Sequence, residues 1–322
     1  MQPSRRELSA LVFAAAIAPG GARAQARAPL VIARGGAVGA GPAQTRAAYE
    51  QAIKDGADFL AADLAVSRDG VLIVRSDTEL SAATDIAARA EFAARRTVKT
   101  IDGETRAGWF AEDFDLAELK TLNCGPAMAK RGKGEPPPAI LTLRDIVEIA
   151  RAGCVRTARV IGVYADLVRP AYFAGLDLAL EPRLVETIVR GGYNNPASAM
   201  IVQSDQSQTL KILAGLTRAR RVLRIASGES GDLTGMRAFA HGVAPNLSRI
   251  IDDTAPRRPT ATPFIARAHG AGLFVHALAA PSDRPALMEA AYRAGADGVI
   301  ADIARPTVRA RDRTTTSENR ET

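Results

Sequence analysis

Imidazole is scarce in this chain: its 322 residues include three histidines, His241, His269 and His276. Chemistry that needs two imidazoles in neighbouring roles has almost no material to draw on. Cysteine is scarcer still. Cys124 and Cys154 cannot form a disulfide framework and show no metal-ligand spacing, although a single bridge between them stays open. Aromatic residues are 5% of the total, and the formal net charge of +7 is not gathered into a basic stripe, so no nucleic-acid partner is expected. No stretch of the mature chain approaches the roughly 18 apolar residues of a spanning helix, which excludes a transmembrane segment there.

Core-forming material, by contrast, is ample. Hydrophobic residues make up 47% and charged residues 24%, the balance of a soluble globular domain. The length accommodates one barrel of about 250 residues plus ends.

Residues 1–24 read as an export signal. Ser4-Arg5-Arg6-Glu7-Leu8 is a twin-arginine pattern, followed by a modestly apolar run from Leu11 to Ala18, a Pro19-Gly20-Gly21 break and the small-residue site Ala22-Arg23-Ala24. The order predicts cleavage after Ala24 and a periplasmic or secreted protein.

From Pro29 onward β-rich runs alternate with helical patterns, the signature of α/β architecture with parallel strands. Eight strands are predicted, at Leu30–Ala33, Phe59–Leu64, Val160–Tyr164, Met200–Gln203, Val222–Ala226, Gly242–Pro245, Leu273–His276 and Gly298–Ala301. Eight strand-helix units favour a closed (β/α)8 barrel, with a doubly wound sheet as the alternative. Ser67-Arg68-Asp69-Gly70 is a turn, and Val71–Val74 returns from it as a hairpin, bringing Ser76 and Asp77 back toward the C-terminal mouth. Residues 81 to about 140 read as an insertion without regular alternation, ending in Glu135-Pro136-Pro137-Pro138. Residues 306–322 lack apolar content and are expected to be disordered. The barrel domain is thus bounded at 29–305.

Three blocks resemble the glycerophosphodiester phosphodiesterase family, periplasmic type. Val31-Ile32-Ala33-Arg34-Gly35-Gly36-Ala37, reaching Pro42-Ala43-Gln44-Thr45, stands where the family has I-A-H-R-G-A and P-E-N-T. Gly56-Ala57-Asp58-Phe59-Leu60-Ala61-Ala62-Asp63-Leu64, running to Arg75-Ser76-Asp77, stands for G-A-D-Y-x-E-x-D-L and R-H-D. Ile161-Gly162-Val163-Tyr164-Ala165-Asp166-Leu167-Val168 stands for I-G-x-Y-x-E-I-K. The resemblance implies a TIM barrel of the phospholipase-C-like phosphodiesterase type, cleaving glycerophosphodiesters with two histidines and a carboxylate-held divalent cation.

Residue by residue, much of that machinery is replaced. The family's histidines fall at Arg34 and Ser76. Arginine does not exchange its proton near neutrality, and a hydroxyl is a weak acid or base without an activating partner. The metal carboxylates fall at Ala61, Asp63 and Asp166, leaving a two-carboxylate remnant that would hold calcium or magnesium loosely. No cofactor is therefore expected. His276, at the end of the seventh strand, is the one candidate for rescue. Arg34 and Arg75, with Asp77 beside them, are candidates for phosphate recognition. Their structural alternative, slightly favoured, is pairing with Asp63 or Asp77. The rim carboxylates Asp63, Asp77, Asp166 and Asp302 sit at strand ends.

The expectation is an exported, catalytically degenerate family member that binds a small phosphodiester or lipid-headgroup ligand. The alternatives are a working phosphodiesterase with acid and base relocated to His276 and Asp166, and a structural or partner-binding domain closed by the insertion.

Overall fold

The computed structural model describes residues 28–38, 42–125, 137–225, 232–254 and 259–321, with side chains described as far as Thr315. The leader at 1–24 and the Glu135-Pro136 end of the insertion lie outside these residues.

In chain order the strands begin with β1 (Leu30–Arg34), β2 (Phe59–Val66), β3 (Leu72–Val74), β4 (Thr97–Ile101), β5 (Glu104–Gly108) and β6 (Gly162–Leu167). They continue with β7 (Met200–Ser204), β8 (Arg220–Ile225), β9 (Gly242–Pro245), β10 (Ile251–Asp252), β11 (Thr260–Ala261), β12 (Phe274–Leu278) and β13 (Gly298–Ala301). Parallel pairing runs β1-β13-β12-β9-β8-β7-β6-β2, and β2 pairs with β1 to close an eight-stranded parallel barrel. β3 is the expected hairpin on β2, with Ser67 N–H donating to Val71 O at 3.0 Å across the turn.

The eight barrel strands match the sequence expectation, with ends shifted by up to three residues. β6 starts at Gly162, not Val160, and runs to Leu167. Val160 is solvent-exposed, whereas Ala165 and Leu167 are fully buried against the helical layer.

Strand alternation sorts the side chains into two sets. Outward residues such as Val31, Leu60, Val163 and Val299 join the large core under the helices. Inward residues form a separate cluster of Ile32, Phe59, Ala61, Tyr164, Ile201, Val222, Ala244 and Ile300. Two rings in this cluster fit because glycine faces them. A Cβ at Gly162 would overlap the Phe59 ring, and one at Gly242 would overlap Phe274.

Three helices begin at threonines that suit a cap. Thr45 caps Arg46–Lys54, Thr142 and Asp145 form a capping box on Leu143–Thr157, and Thr262 Oγ1 accepts the Phe264 N–H at 3.3 Å.

Two expectations need correction. The insertion is not without alternation: β4 and β5 form an antiparallel hairpin turning at Asp102-Gly103, both with positive φ, as such a turn demands. The chain after 305 is not disordered either. Ala304–Glu321 is a helix, and Thr307, Ala310 and Thr314 bury one face of it against the barrel's outer layer. That stripe is built of small residues, so a count of large apolar side chains misses it. Arg311 to Asp58 at 2.9 Å and Arg313 to Glu289 at 2.8 Å secure the same helix.

Gly162→Ala is expected to destabilise the fold by about 1–3 kcal/mol through overpacking of the barrel interior. Phe59→Leu in the same chain should recover part of that loss. Urea unfolding of the two single variants and the double variant measures the coupling, and strictly additive losses would contradict the packing described.

Candidate functional site

The inward rows do not end with the apolar cluster. Two residues further up each strand, Ile32 gives way to Arg34, Ala61 to Asp63, Tyr164 to Asp166, Ile201 to Gln203, Val222 to Arg224 and Ile300 to Asp302. Parity therefore delivers a ring of polar side chains to the C-terminal end, where barrel proteins place their binding groups. Arg34, Asp63, Arg224 and Asp302 line a cavity of about 530 Å3, together with Gln44, Ser76, Asp102, Arg169 and Asp205 from the loops.

The ring is held by charge pairs. Arg34 grips Asp302 with a two-pronged contact, Nε to Oδ1 at 2.7 Å and Nη2 to Oδ2 at 3.1 Å. Arg224 bridges two acids, donating from Nη1 to Asp166 at 2.9 Å and from Nη2 to Asp205 at 2.8 Å. Asp63 Oδ2 accepts from Ser76 Oγ at 2.6 Å and from Gln44 Nε2 at 3.1 Å. Gln44 holds this place with φ +61°, a left-handed conformation that a β-carbon makes costly.

The insertion supplies part of the wall. Arg169 donates from Nε to Asp102 of the β4-β5 turn at 2.7 Å, and Arg106 of β5 donates to Asp77 at 2.6 Å. The hairpin is therefore anchored at the barrel mouth.

Several candidate residues lie elsewhere than the sequence implied. Arg34 pairs with Asp302, not with Asp63 or Asp77, because β1 lies beside β13 and Asp302 follows that strand directly. Arg75 pairs with neither acid: it is buried and donates from Nη2 to Cys124 Sγ at 2.6 Å. Ser76 does have a carboxylate neighbour. A carboxylate is a weak base toward an alkyl hydroxyl, so the contact with Asp63 orients Ser76 without removing its proton. The two thiols are free and have separate partners, since Cys154 Sγ accepts the Ile161 N–H at 3.2 Å.

His276 is not at the mouth. β12 pairs it with Gly298, the first residue of β13, so its ring lies inside the barrel with Nδ1 3.2 Å from the Tyr164 hydroxyl. Burial lowers its pKa to about 3, keeping it neutral. His241 is also lowered, to about 4, by burial and the nearby Arg221, Arg237 and Arg220 charges. His269 is on an exposed helix, 2.8 Å from Asp297. None of the three reaches the mouth cavity.

A buried polar column links His276 to the rim. Tyr164 OH lies 3.2 Å from Gln203 Oε1, Gln203 Nε2 donates to Asp166 at 2.7 Å, and Arg224 meets Asp166 from above. Burial pushes Asp166 up, to about 6, against the pull of Arg224 and with help from the Asp63 charge. Its Oδ1 has no hydrogen-bond partner.

The metal remnant does not fit a divalent ion. Asp63 and Asp166 are register partners on β2 and β6, but the third position, Ala61, offers a methyl group. Asp166 is already committed to a guanidinium, whose fixed charge repels a cation. Among the described residues no group of three or more His, Cys, Asp or Glu is arranged to hold a metal.

Sequence reasoning missed Arg224, Arg169 and Asp205 as site residues. For Arg224 a signal existed, since it shares the inward parity of Val222 near the end of a predicted strand. Arg169 and Asp205 sit in loops, where parity says nothing.

A family model described as "Glycerophosphoryl diester phosphodiesterase family" matches residues 35–305. A glycerophosphodiester phosphodiesterase of Arabidopsis thaliana is 28% identical over 278 residues, covering 77% of this chain and 73% of that protein. Three longer Arabidopsis relatives are matched over 24% to 30% of their length. Among solved structures, a protein from Silicibacter pomeroyi described as a glycerophosphoryl diester phosphodiesterase superposes with a TM-score of 0.66 at 17% identity, over 89% of this chain and 95% of its own. An Oleispira antarctica phosphodiesterase in complex with the product sn-glycerol-3-phosphate gives 0.64 at 20% identity, over 88% and 97%. At these identities the structures establish a shared fold.

The buried groups set a pH dependence. Unfolded histidine takes up a proton near pH 6.5, whereas His276 resists until about 3, so stability is lost as pH falls through that window. Asp166 works oppositely: its ionisation opposes folding as pH rises from about 4 to about 6. His276→Gln removes the first effect, so its melting temperature should fall less than that of the unsubstituted protein between pH 6.5 and pH 4. Thermal melts by circular dichroism measure this, and identical acid losses would refute a neutral, buried His276.

Proposed function

The chain belongs to the glycerophosphoryl diester phosphodiesterase family, and from that premise we propose that its barrel mouth binds a phosphodiester or headgroup-like ligand with little or no hydrolysis. The observation that carries this is the pairing of Arg34 with Asp302 and of Arg224 with Asp166. Cleaving a phosphodiester requires a base at the attacking oxygen, an acid at the leaving oxygen and a cation against the growing charge. Arg34 stands where the resemblance implies one histidine and holds its proton throughout the physiological range. Ser76 stands where it implies the other, and Asp63 with Gln44 fixes its hydroxyl in place.

The same groups suit recognition. A guanidinium has five N–H donors, and the pairs described use some of them, leaving others for a phosphate oxygen. Arg34, Arg169 and Arg224 line the cavity together with Asp63, Asp102, Asp205 and Asp302. An anion there is held by directed hydrogen bonds more than by net charge, and a zwitterionic headgroup finds a partner for each of its ends. The product bound by the Oleispira antarctica protein, sn-glycerol-3-phosphate, is a phosphate anion.

The activity test is release of glycerol phosphate from a glycerophosphodiester, with calcium, with magnesium and with chelator. The unsubstituted protein should show negligible turnover under all three conditions while binding sn-glycerol 3-phosphate in a calorimetric titration. The combined variant Arg34→His, Ser76→His, Ala61→Glu should show chelator-sensitive turnover above that baseline. Robust chelator-sensitive hydrolysis by the unsubstituted protein would sink the proposal. Chelator-insensitive hydrolysis abolished by Ser76→Ala would favour a relocated centre built on Ser76 and Asp63.

We also propose export to the periplasm or beyond through the twin-arginine route, supported by the ordered pattern of residues 4–24. The mature protein should begin at Gln25, as read by mass spectrometry of the extracytoplasmic fraction. Arg5→Lys combined with Arg6→Lys should retain it in the cytoplasm, and unchanged export would contradict the assignment.

A further inference from the structure

Beside the mouth lies a second cavity of about 600 Å3. Ala43, Gln44 and Ser76 line both, so the two spaces share a wall. Arg75 lines the second one and is 5% exposed. Its Nη2 donates to Cys124 Sγ, and its Nε is enclosed with no hydrogen-bond partner among the described residues. Other charged groups on these walls are engaged: Arg106 holds Asp77 at 2.6 Å, and Glu79 accepts from the backbone of Ser81 and Trp109.

A guanidinium cannot shed its proton to escape burial, and a thiol is a weak acceptor. Enclosing such a charge without a counter-ion is costly, and an anion placed in the adjoining space relieves the cost. Ala82, Ala83 and Ala107 keep the walls small and apolar, which strengthens any charge pair formed against them.

We infer that this cavity is an anion subsite, in which Arg75 takes a carboxylate or phosphate carried by one substituent of a phosphodiester whose phosphorus sits in the mouth. The ligand's identity rests on the phosphodiester reading of the mouth; the demand for an anion beside Arg75 does not. The mouth selects for the diester, and the second cavity selects among diesters for an acidic headgroup.

Glycerophosphoserine and glycerophosphoethanolamine differ by one carboxylate and so isolate the subsite. In calorimetric titration of the mature chain the serine diester should bind about tenfold tighter. Arg75→Gln should erase that preference without weakening the ethanolamine diester, and Arg75→Lys should keep part of it. Equal affinities in the unsubstituted protein, or equal weakening of both ligands by Arg75→Gln, would overturn the inference. Inorganic phosphate provides a separate arm. It should raise the melting temperature; Arg34→Gln, which weakens the mouth, should remove only part of the rise, and adding Arg75→Gln should remove what is left. Should Arg75→Gln not fold, Ala83→Asp, which adds a competing carboxylate to the cavity wall, should suppress the same rise with Arg75 intact. A rise indifferent to these changes overturns the subsite whatever the diesters do. An Arg75-dependent rise with neither diester bound keeps the subsite and rejects the phosphodiester reading of the mouth.

Discussion

Barrel closure is the constraint on which everything else hangs. Once β2 pairs with β1, every second residue of eight parallel strands must face a single enclosed axis, and the apolar side chains there are almost fully buried. Apolar residues and facing glycines fill the lower part. Inside the barrel polar side chains form the hydrogen-bonded column of His276, Tyr164 and Gln203, and others gather where the strands run out, because closure has brought eight strand ends together. The site is thus a geometric by-product of a sheet that leaves no edge.

At that rim the charged side chains are joined in salt bridges. Arg34 and Arg224 come from opposite regions of the chain, yet each meets a carboxylate that would otherwise sit beside other carboxylates with nothing to balance it. An isolated acid under the rim is expensive, as the raised pKa of Asp166 records, and a guanidinium supplies a permanent, directional counter-charge where a divalent ion would be reversible and hydrated. The result is a fixed pattern of paired charges at the barrel mouth.

The column from His276 through Tyr164 and Gln203 to Asp166 extends this logic into the interior. It is a string of polar groups satisfied mainly by one another, with a neutral imidazole at the bottom and a half-neutralised acid at the top. Such a string fixes rotamers beneath the rim, since each member has a partner to lose. It also holds His276, which the sequence places near the mouth, below the rim.

The class of fold was legible from the sequence because it is local information repeated. Period-two runs, caps such as Thr142 and Thr45, and the Ser67–Gly70 turn each involve a handful of neighbouring residues. The motif positions Arg34, Asp63, Ser76, Asp77 and Asp166 were legible through the family resemblance, which matches them block by block. What these residues do there was decided by tertiary structure alone. Asp302 lies 268 positions from Arg34, and Arg224 lies 58 from Asp166. Only closure of the barrel chooses Asp302 over Asp63 for Arg34, encloses Arg75 beside a thiol, and drops His276 below the rim. The terminal helix makes the same point: its stripe of Thr307, Ala310 and Thr314 signals nothing until a flat surface exists for it to cover. Local pattern sets which face a side chain takes. Pairing partners and burial depend on which strands become neighbours, and no short window of sequence contains that information.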